Sequence, residues 1–125
     1  MTKKTNSGTL STIKSADKKK ATTAPKEANV AKKMKELLGI NKIRFSGHAN
    51  KRVGERNVID YEVRQALNSG KHDPSKDRYS ANWNNWEYSI EGKTLDERHL
   101  RIGISFETTD KGERLLVVTV IEPNK

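Results

Sequence analysis

Cysteine is absent from this chain of 125 residues, which excludes disulfide bonds, thiolate nucleophiles and zinc–thiolate sites. Aromatic residues are few, at 6%, and apolar residues reach only 32% while charged residues reach 33%. Part of the chain therefore has too little apolar surface to fold. No apolar run approaches the length of a bilayer span, and no Sec-type signal is visible. We expect the protein to act in the cytoplasm, either where it is made or in a target bacterium that receives it as the C-terminal part of a secreted effector.

Excess positive charge is confined to the N-terminal third. The net charge is +9, and residues 1–44 hold 12 Lys and Arg against 3 Asp and Glu, whereas residues 45–125 hold 13 of each. A basic segment attracts nucleic acid, although a solubilising tail has the same composition. We predict a disordered basic arm in residues 1–26, a connector or docking helix in residues 27–44, and a folded domain in residues 45–125.

The spacing of apolar residues changes from a helical period to a strand period along the chain. Helical spacing occurs in residues 46–56 and 60–70, and strict alternation with polar residues occurs in 86–90 and 100–106. Residues 115–121 are apolar almost throughout, as in a strand covered on both faces. We predict an α+β fold with two short helices packed on one face of a three- to four-stranded antiparallel sheet, preceded by the disordered or helical basic arm.

His48, Arg52 and Arg56 are predicted to share one face of the first of these helices, because positions i, i+4 and i+8 drift by only about 40° per step. An imidazole can move a proton near neutral pH, and guanidinium groups can hold a phosphodiester anion. His48 is therefore a candidate base or acid, and Arg52 and Arg56 are candidate cations that stabilise developing charge. The alternative is a basic helix face that only contacts solvent.

Two strands supply further catalytic candidates. Arg101 lies on the polar side of one strand, and Thr119 is the polar residue that interrupts the apolar run 115–121. If these two strands pair in register, both side chains could line the open face of the sheet. A structural threonine with a satisfied hydroxyl is the alternative for Thr119.

Aromatic and basic side chains are candidates for RNA contact: Lys51, Lys32, Lys33, Trp83 and Trp86. The two tryptophans could stack on unpaired bases, and an aromatic pair that fills the core is the alternative. Two other histidines, His72 and His99, are interpreted as exposed loop residues. Since none of the three histidines has metal-ligand spacing to a carboxylate, we expect no metal site and no cofactor.

Several segments resemble a family signature. The segments FSGHANKR at 45–52, ERNV at 55–58 and VVTV at 117–120 resemble the pattern H-A-x-x-R-x-x-E-R-G-I-S followed by V-x-T-V. This signature typifies a family of domains of unknown function. That family is similar to the RelE/BrnT-type toxins of toxin–antitoxin systems and to the wider barnase–EndoU–colicin–RelE nuclease group. The resemblance covers about residues 45–123 and leaves the basic arm outside.

The resemblance implies a small α+β toxin domain in residues 45–125 with metal-independent endoribonuclease activity on tRNA or mRNA. It also implies neutralisation by a cognate antitoxin or immunity protein. Carried over by position, the family's histidine falls on His48, its two arginines on Arg52 and Arg56, and its strand threonine on Thr119. Two other classes stay open: a module that binds RNA or the ribosome without cleavage, and a protein-interaction domain.

Overall fold

The computed structural model describes residues 25–55, 58–82 and 84–123. These residues contain three α-helices: α1 (Val30–Gly39), α2 (Gly47–Glu55) and α3 (Asp60–Ser69). They also contain six strands: β1 (Ile43–Phe45), β2 (Lys71–His72), β3 (Arg78–Ser80), β4 (Asn85–Lys93), β5 (His99–Thr109) and β6 (Gly112–Ile121). A short 3₁₀ turn (Pro74–Lys76) lies between β2 and β3.

The six strands form one sheet in the order β1–β6–β5–β4–β2, and β3 also pairs with β4. Strands β4, β5 and β6 pair antiparallel, as do β2 and β4, whereas β1 runs parallel to β6. The predicted α+β class, with helices packed on a mostly antiparallel sheet, is confirmed. The sheet contains more strands than expected because β1, β2 and β3 have only two or three residues each, too few to give an alternating pattern.

One face of the sheet forms the core together with α1 and α3. Alternate residues of the long strands are fully buried on this face: Ile90, Ile102, Ile104, Leu115, Val117 and Val120. Helix α3 adds Val63, Ala66 and Leu67, which are also fully buried. Complete burial of an aliphatic side chain stabilises a fold by about 1.5–3 kcal/mol, so this face supplies most of the stability.

Helix α1 is part of this core. Its apolar stripe of Val30, Met34 and Leu37 is buried, and the helix contacts α3 and β6. Asn29 caps its first turn by accepting a hydrogen bond from the N–H of Lys32 at 3.2 Å. The segment interpreted as a connector or docking helix is therefore packed on the same sheet as α3.

Helix α3 lies close to β4 because Gly92 has no side chain. A Cβ atom at Gly92 would lie 1.9 Å from the carbonyl oxygen of Ala66. Glycine inside a strand commonly marks such a close backbone approach. This contact brings the C-terminal half of α3 down onto the sheet.

The opposite face of the sheet, which we call the open face, carries polar residues and a glycine. Register places Ser89 of β4 opposite Gly103 of β5, and Gly103 opposite Thr119 of β6. In the neighbouring row, Glu91 lies opposite Arg101. Because successive strand side chains point to opposite faces, all five positions belong to the face opposite the buried isoleucines.

A bulge in β6 sets which residues reach the open face. Gly103 pairs with Thr119, but the next residue, Ile104, pairs with Val117, so Val118 has no partner position on β5. One extra residue exchanges the two faces for everything beyond it. Thr119 therefore lies on the open face, and Val120 lies in the core.

Residues 25–26 and the described part of 79–86 belong to a compact unit distinct from that of Glu27–Arg78 and Glu87–Lys125. In the smaller unit, Tyr79 and Trp86 meet edge to face with ring centroids 5.7 Å apart. The Lys26 ammonium lies 4.7 Å from the Trp86 ring centroid. The predicted arm 1–26 otherwise lies outside the described residues. None of the described helices is long and apolar enough to cross a membrane.

Candidate active site

A cavity of about 480 Å³ lies on the open face, within the unit Glu27–Arg78 and Glu87–Lys125. Helix α2, the segment 76–78 and strands β4, β5 and β6 contribute to its wall. Its polar lining residues are His48, Arg52, Lys76, Arg78, Glu87, Ser89, Arg101 and Thr119. The structure thus brings together four of the five side chains predicted to be catalytic. The fifth, Arg56, lies outside the described residues.

Ser46 fixes the start of α2 against the bulge in β6. Its hydroxyl donates to the carbonyl oxygen of Val118 at 3.0 Å and accepts from the N–H of Ala49 at 3.0 Å. Its own N–H donates to the carbonyl oxygen of Val117 at 2.9 Å. A serine that accepts from a first-turn N–H caps a helix, and here the cap also ties the helix to the sheet. His48 is held at the cavity by this attachment.

His48 and Arg52 lie one turn apart on the cavity side of α2. Arg52 donates from Nε to Nε2 of His48 at 3.5 Å, and from Nη1 to Oε1 of Glu55 at 3.0 Å. His48 is exposed, so its imidazole is accessible to a substrate entering the cavity. The pair combines a proton carrier with an anion-binding cation.

Arg101 reaches the cavity from β5 and is held by Glu91 on β4. Its Nε donates to Oε2 of Glu91 at 2.7 Å, and the other carboxylate oxygen lies 2.8 Å from Nε2 of His99. The hydrogen bond from Arg101 lowers the pKa of Glu91 below its ordinary value, against the opposing effect of burial and with a further contribution from His99. His99 is therefore half-buried at the start of β5, and its interpretation as an exposed loop residue was wrong.

Lys76 at the end of the 3₁₀ turn and Arg78 at the start of β3 both line the cavity, and Asp77 between them anchors this part of the chain. The Asp77 carboxylate lies 2.9 and 3.0 Å from Nε2 of His72 and accepts from the N–H of Ser89 at 3.1 Å. The Asp77 side chain is only 1% exposed. His72, also interpreted as an exposed loop residue, is instead half-buried in β2. It was misassigned because β2 is too short to recognise from its sequence.

The cavity floor contains a row formed by Ser89, Gly103 and Thr119 on three neighbouring strands. The residue Ser89 is 6% exposed, and its hydroxyl has no hydrogen-bond partner among the described residues. A buried hydroxyl without a partner costs about 1–3 kcal/mol. Such a group at a cavity wall is suited to hydrogen-bond a polar ligand.

Glu87 is a candidate that the sequence did not single out. Its carboxylate lies over Gly103, since a Cβ atom there would be 2.4 Å from Oε2 of Glu87 and 2.9 Å from Cγ2 of Thr119. The Glu87 side chain is 11% exposed, and Arg78 Nη2 lies 3.3 Å from its Oε1. The available signal was Gly103 itself, a glycine within the alternating strand, because such glycines often mark a close approach.

The predicted RNA-contact residues lie elsewhere. Lys51 and Lys32 are exposed and do not line the cavity. Lys33 pairs with Glu27 at 2.9 Å and with Glu113 at 2.5 Å. Burial lowers the pKa of Lys33, but its hydrogen bonds to Glu113 and Glu27 outweigh burial and raise it above the ordinary value. Trp86 belongs to the smaller unit, and Trp83 lies outside the described residues.

The chemistry available in the cavity is proton transfer and anion binding. Four cations, an imidazole, a carboxylate and two hydroxyls share its wall. Within residues 25–55, 58–82 and 84–123, no three His, Cys, Asp or Glu side chains are grouped so that they could hold a metal ion. A phosphodiester, which carries one negative charge and several acceptor oxygens, matches the donors that line the cavity.

The sequence profile described as "Domain of unknown function (DUF4258)" matches residues 45–122. All residues that line the cavity lie within this match. No curated protein and no solved structure matches the chain. The match contains no link to the RelE/BrnT-type toxins, so that relation stays a prediction. Because the profile covers more than half of the chain, from the end of β1 past the end of β6, the protein belongs to the DUF4258 family.

Proposed function

We propose that the protein is a metal-independent endoribonuclease toxin that cleaves RNA by attack of a 2′-hydroxyl on the adjacent phosphodiester. The observation that carries this proposal is the convergence of His48, Arg52, Arg101 and Thr119 on one cavity. These residues come from α2, β5 and β6, and the sequence predicts a catalytic role for each of them. Unrelated surface residues on three separate elements would have no reason to line the same cavity.

The reaction needs a proton acceptor, a proton donor and cations for the negative charge that develops on the phosphorus-bound oxygens. His48 supplies one of the two proton-transfer groups. Arg52 and Arg101 can each present paired N–H groups to phosphate oxygens. Thr119 adds a hydroxyl donor. A correctly placed proton carrier typically contributes about 10²–10⁴-fold in rate.

The charge distribution supports an RNA substrate. The excess of nine positive charges in residues 1–44 would attract a polyanion without regard to its sequence. By resemblance to the RelE/BrnT-type toxins, the substrate class is tRNA or mRNA in the cytoplasm, and the expected inhibitor is a cognate antitoxin or immunity protein. The cavity chemistry requires the 2′-hydroxyl, so DNA of the same sequence should resist cleavage.

The test uses the full chain with bulk tRNA and a messenger transcript, in the presence and absence of EDTA. We expect cleavage in both conditions, with 2′,3′-cyclic phosphate and 5′-hydroxyl ends. His48→Ala should lower the rate by about 10²–10⁴-fold while thermal melting stays close to that of the parent. Arg52→Ala should also be impaired. Arg52→Lys should recover only part of the activity, because an ammonium cannot make the bidentate contact.

Lys111→Ala is the matched control for the loss of one positive charge, because Lys111 is exposed between β5 and β6, lies outside the basic residues 1–44 and does not line the cavity. This variant should cleave at the parental rate. A folded His48→Ala protein with parental activity would contradict the assignment of His48. If the parent shifts RNA in a gel but leaves it intact, the protein is a binding module instead.

A further inference from the structure

We propose that Glu87 is the general base that deprotonates the attacking 2′-hydroxyl, that His48 is the acid, and that Gly103 exists to seat the Glu87 carboxylate. This inference rests on the proposed ribonuclease function and assigns the two proton-transfer roles that the sequence left open. It also identifies a catalytic residue outside the original set.

Gly103 leaves a space on the open face of β5. A glycine within a strand destabilises it by about 0.5–1 kcal/mol relative to alanine. A role for the space that the absent side chain leaves would explain why glycine stands at this position. Here a Cβ atom would lie 2.4 Å from Oε2 of Glu87. The Glu87 carboxylate therefore occupies the place where a side chain of β5 would stand.

The carboxylates that pair with the cations of the cavity wall differ in whether they line the cavity themselves. Each of the four cations in the wall has an acidic partner: Arg52 with Glu55, Lys76 with Asp73, Arg78 with Glu87, and Arg101 with Glu91. Among the described residues, Glu87 is the only one of these partners that lines the cavity. The other three hold their cations from outside it. Of these four carboxylates, Glu87 is therefore the one placed to touch a substrate inside the cavity.

The Glu87 carboxylate lies in a largely buried, polar part of the cavity. The side chain is 11% exposed, and it lies above the row that contains the unpartnered Ser89 hydroxyl and the Thr119 side chain. A largely buried carboxylate that lines the cavity and is paired with one cation is well placed to accept a proton from a bound ribose. The imidazole of His48 approaches from α2, on a different element, as the two roles require.

The proposed step balances without a co-reactant. The 2′-hydroxyl loses its proton to the Glu87 carboxylate as the O2′–P bond forms. The P–O5′ bond breaks, and the leaving 5′-oxygen takes a proton from the His48 imidazolium, the form in which Nε2 carries a proton and no longer accepts from Arg52. The products are a 2′,3′-cyclic phosphate and a 5′-hydroxyl. Glu87 is then protonated and His48 neutral, and exchange with solvent restores both.

The mechanism predicts a bell-shaped dependence of kcat/KM on pH. The acidic limb reports protonation of the carboxylate, and the alkaline limb reports loss of the imidazolium proton. The charged groups that face Glu87 are Arg78 from the start of β3, Lys76 from the 3₁₀ turn, Arg101 from β5, and His48 and Arg52 from α2. Glu87→Gln and Gly103→Ala leave all five of these groups unchanged.

The experiment compares the parent with Glu87→Gln, which keeps the shape of the side chain and removes its basicity. With bulk tRNA as the probe, we expect a loss of about 10²–10⁴-fold and the disappearance of the acidic limb. Glu107→Gln is the matched control, since Glu107 pairs with Arg44 and Arg114 and does not line the cavity. It should keep both limbs and the parental rate.

Gly103→Ala tests the seat separately, with Gly39→Ala as its control because a Cβ atom at Gly39 meets nothing within 4 Å. Displacing a catalytic group by about 1 Å can cost about 10²-fold. Added to Glu87→Gln, Gly103→Ala should cost less than it does in the parent, because part of its effect is the loss of Glu87 and only the displacement of Thr119 remains. Melting curves establish that each variant is folded.

The outcomes separate the two proposals. A parent that leaves both tRNA and the messenger transcript intact overturns the proposed function and this inference together. An active parent whose Glu87→Gln variant keeps the acidic limb and most of its rate overturns only the inference. If Gly103→Ala does not fold, the Glu87→Gln profile decides alone.

Discussion

The two faces of the sheet use alternate residues of the same strands, yet they differ in composition and in packing. Along β5, Leu100, Ile102 and Ile104 are fully buried on the core face. Between them lie Arg101 and Gly103 on the open face, where one binds a carboxylate and the other leaves room for one. Neighbouring residues in the sequence therefore serve folding and the cavity in turn.

This comparison indicates that stability and activity can be changed almost independently. Each core-face residue contributes through apolar burial, which any polar replacement removes. On the open face, Arg101 and Glu91 contribute through an ion pair near water, which is worth much less to folding. Substitutions on the core face should therefore lower thermal stability, whereas substitutions on the open face should lower the cleavage rate with little change in melting.

Val117→Asp should prevent folding. Val117 is fully buried on the core face of β6, and an unpaired carboxylate there costs several kcal/mol against a total stability of about 5–15 kcal/mol. Circular dichroism and thermal melting measure the effect. Leu95→Asp is the control, because Leu95 is 78% exposed and the same change there should leave the melting curve intact. A cooperative, parent-like melt for Val117→Asp would contradict the core assignment.

Thr119→Val should show the opposite signature, two residues further along the same strand. The shape of the side chain is nearly kept, so melting should change little, whereas cleavage should fall by about 10²-fold if the hydroxyl donates to the phosphate. The measurement is initial cleavage rate beside thermal melting. Thr108→Val, at an exposed position of β5 away from the cavity, is the control. Unchanged cleavage would make Thr119 a purely structural threonine.

Glu91→Gln should reduce the acid sensitivity of folding. The folded state holds the pKa of Glu91 below its ordinary value of 4.5, chiefly through the hydrogen bond from Arg101, so the unfolded state binds the proton more readily. This contribution is complete above pH 4.5 and is lost as pH falls through the lowered folded value. Melting temperature measured across this interval should fall less in the variant. Parallel curves for the two proteins would contradict the argument.

Lys51→Ala should have the smallest effect. Lys51 is exposed on α2, next to the helix face that lines the cavity. Its loss should change the free energy of unfolding by no more than about 0.5 kcal/mol. If it contacts a phosphate, the slope of log K against log salt for RNA binding should decrease by about 1. An identical slope would remove Lys51 from the RNA contact surface. Melting provides the control for folding.

The long elements could be predicted from the sequence because their periodicity is strong. The alternation at 86–90 and 100–106 gave β4 and β5, and the apolar run 115–121 gave most of β6. The parallel pairing of β1 with β6 could not be predicted, since three residues carry no period and the pairing depends on contacts distant in sequence. The packing of α1 in the core could not be predicted either, because the apolar stripe of a helix does not identify the element that packs against it.

The site was predictable only where residue type and spacing carried the chemistry. His48 and Arg52 were found because i, i+4 spacing on a helix is local. Glu87 was missed because an outward glutamate on a strand is indistinguishable from a solvent-exposed one until the glycine opposite is located. Lys76 and Arg78 were missed because the anchor formed by His72 and Asp77 joins two segments too short to recognise.

The single unpaired residue in β6 gives that strand two registers, and the change of register has a practical consequence. Before Val118, odd-numbered residues such as Leu115 and Val117 belong to the core; after it, even-numbered Val120 does. Deletion of Val118 would remove the bulge and leave Thr119 opposite Gly103 and Val120 opposite Ile102. If Val118 instead paired with Gly103 in a regular ladder, the Thr119 hydroxyl would turn inward and the Val120 isopropyl group outward. Any chain aligned to this one by its hydrophobic pattern alone would be misread by one position from here to the end of the strand.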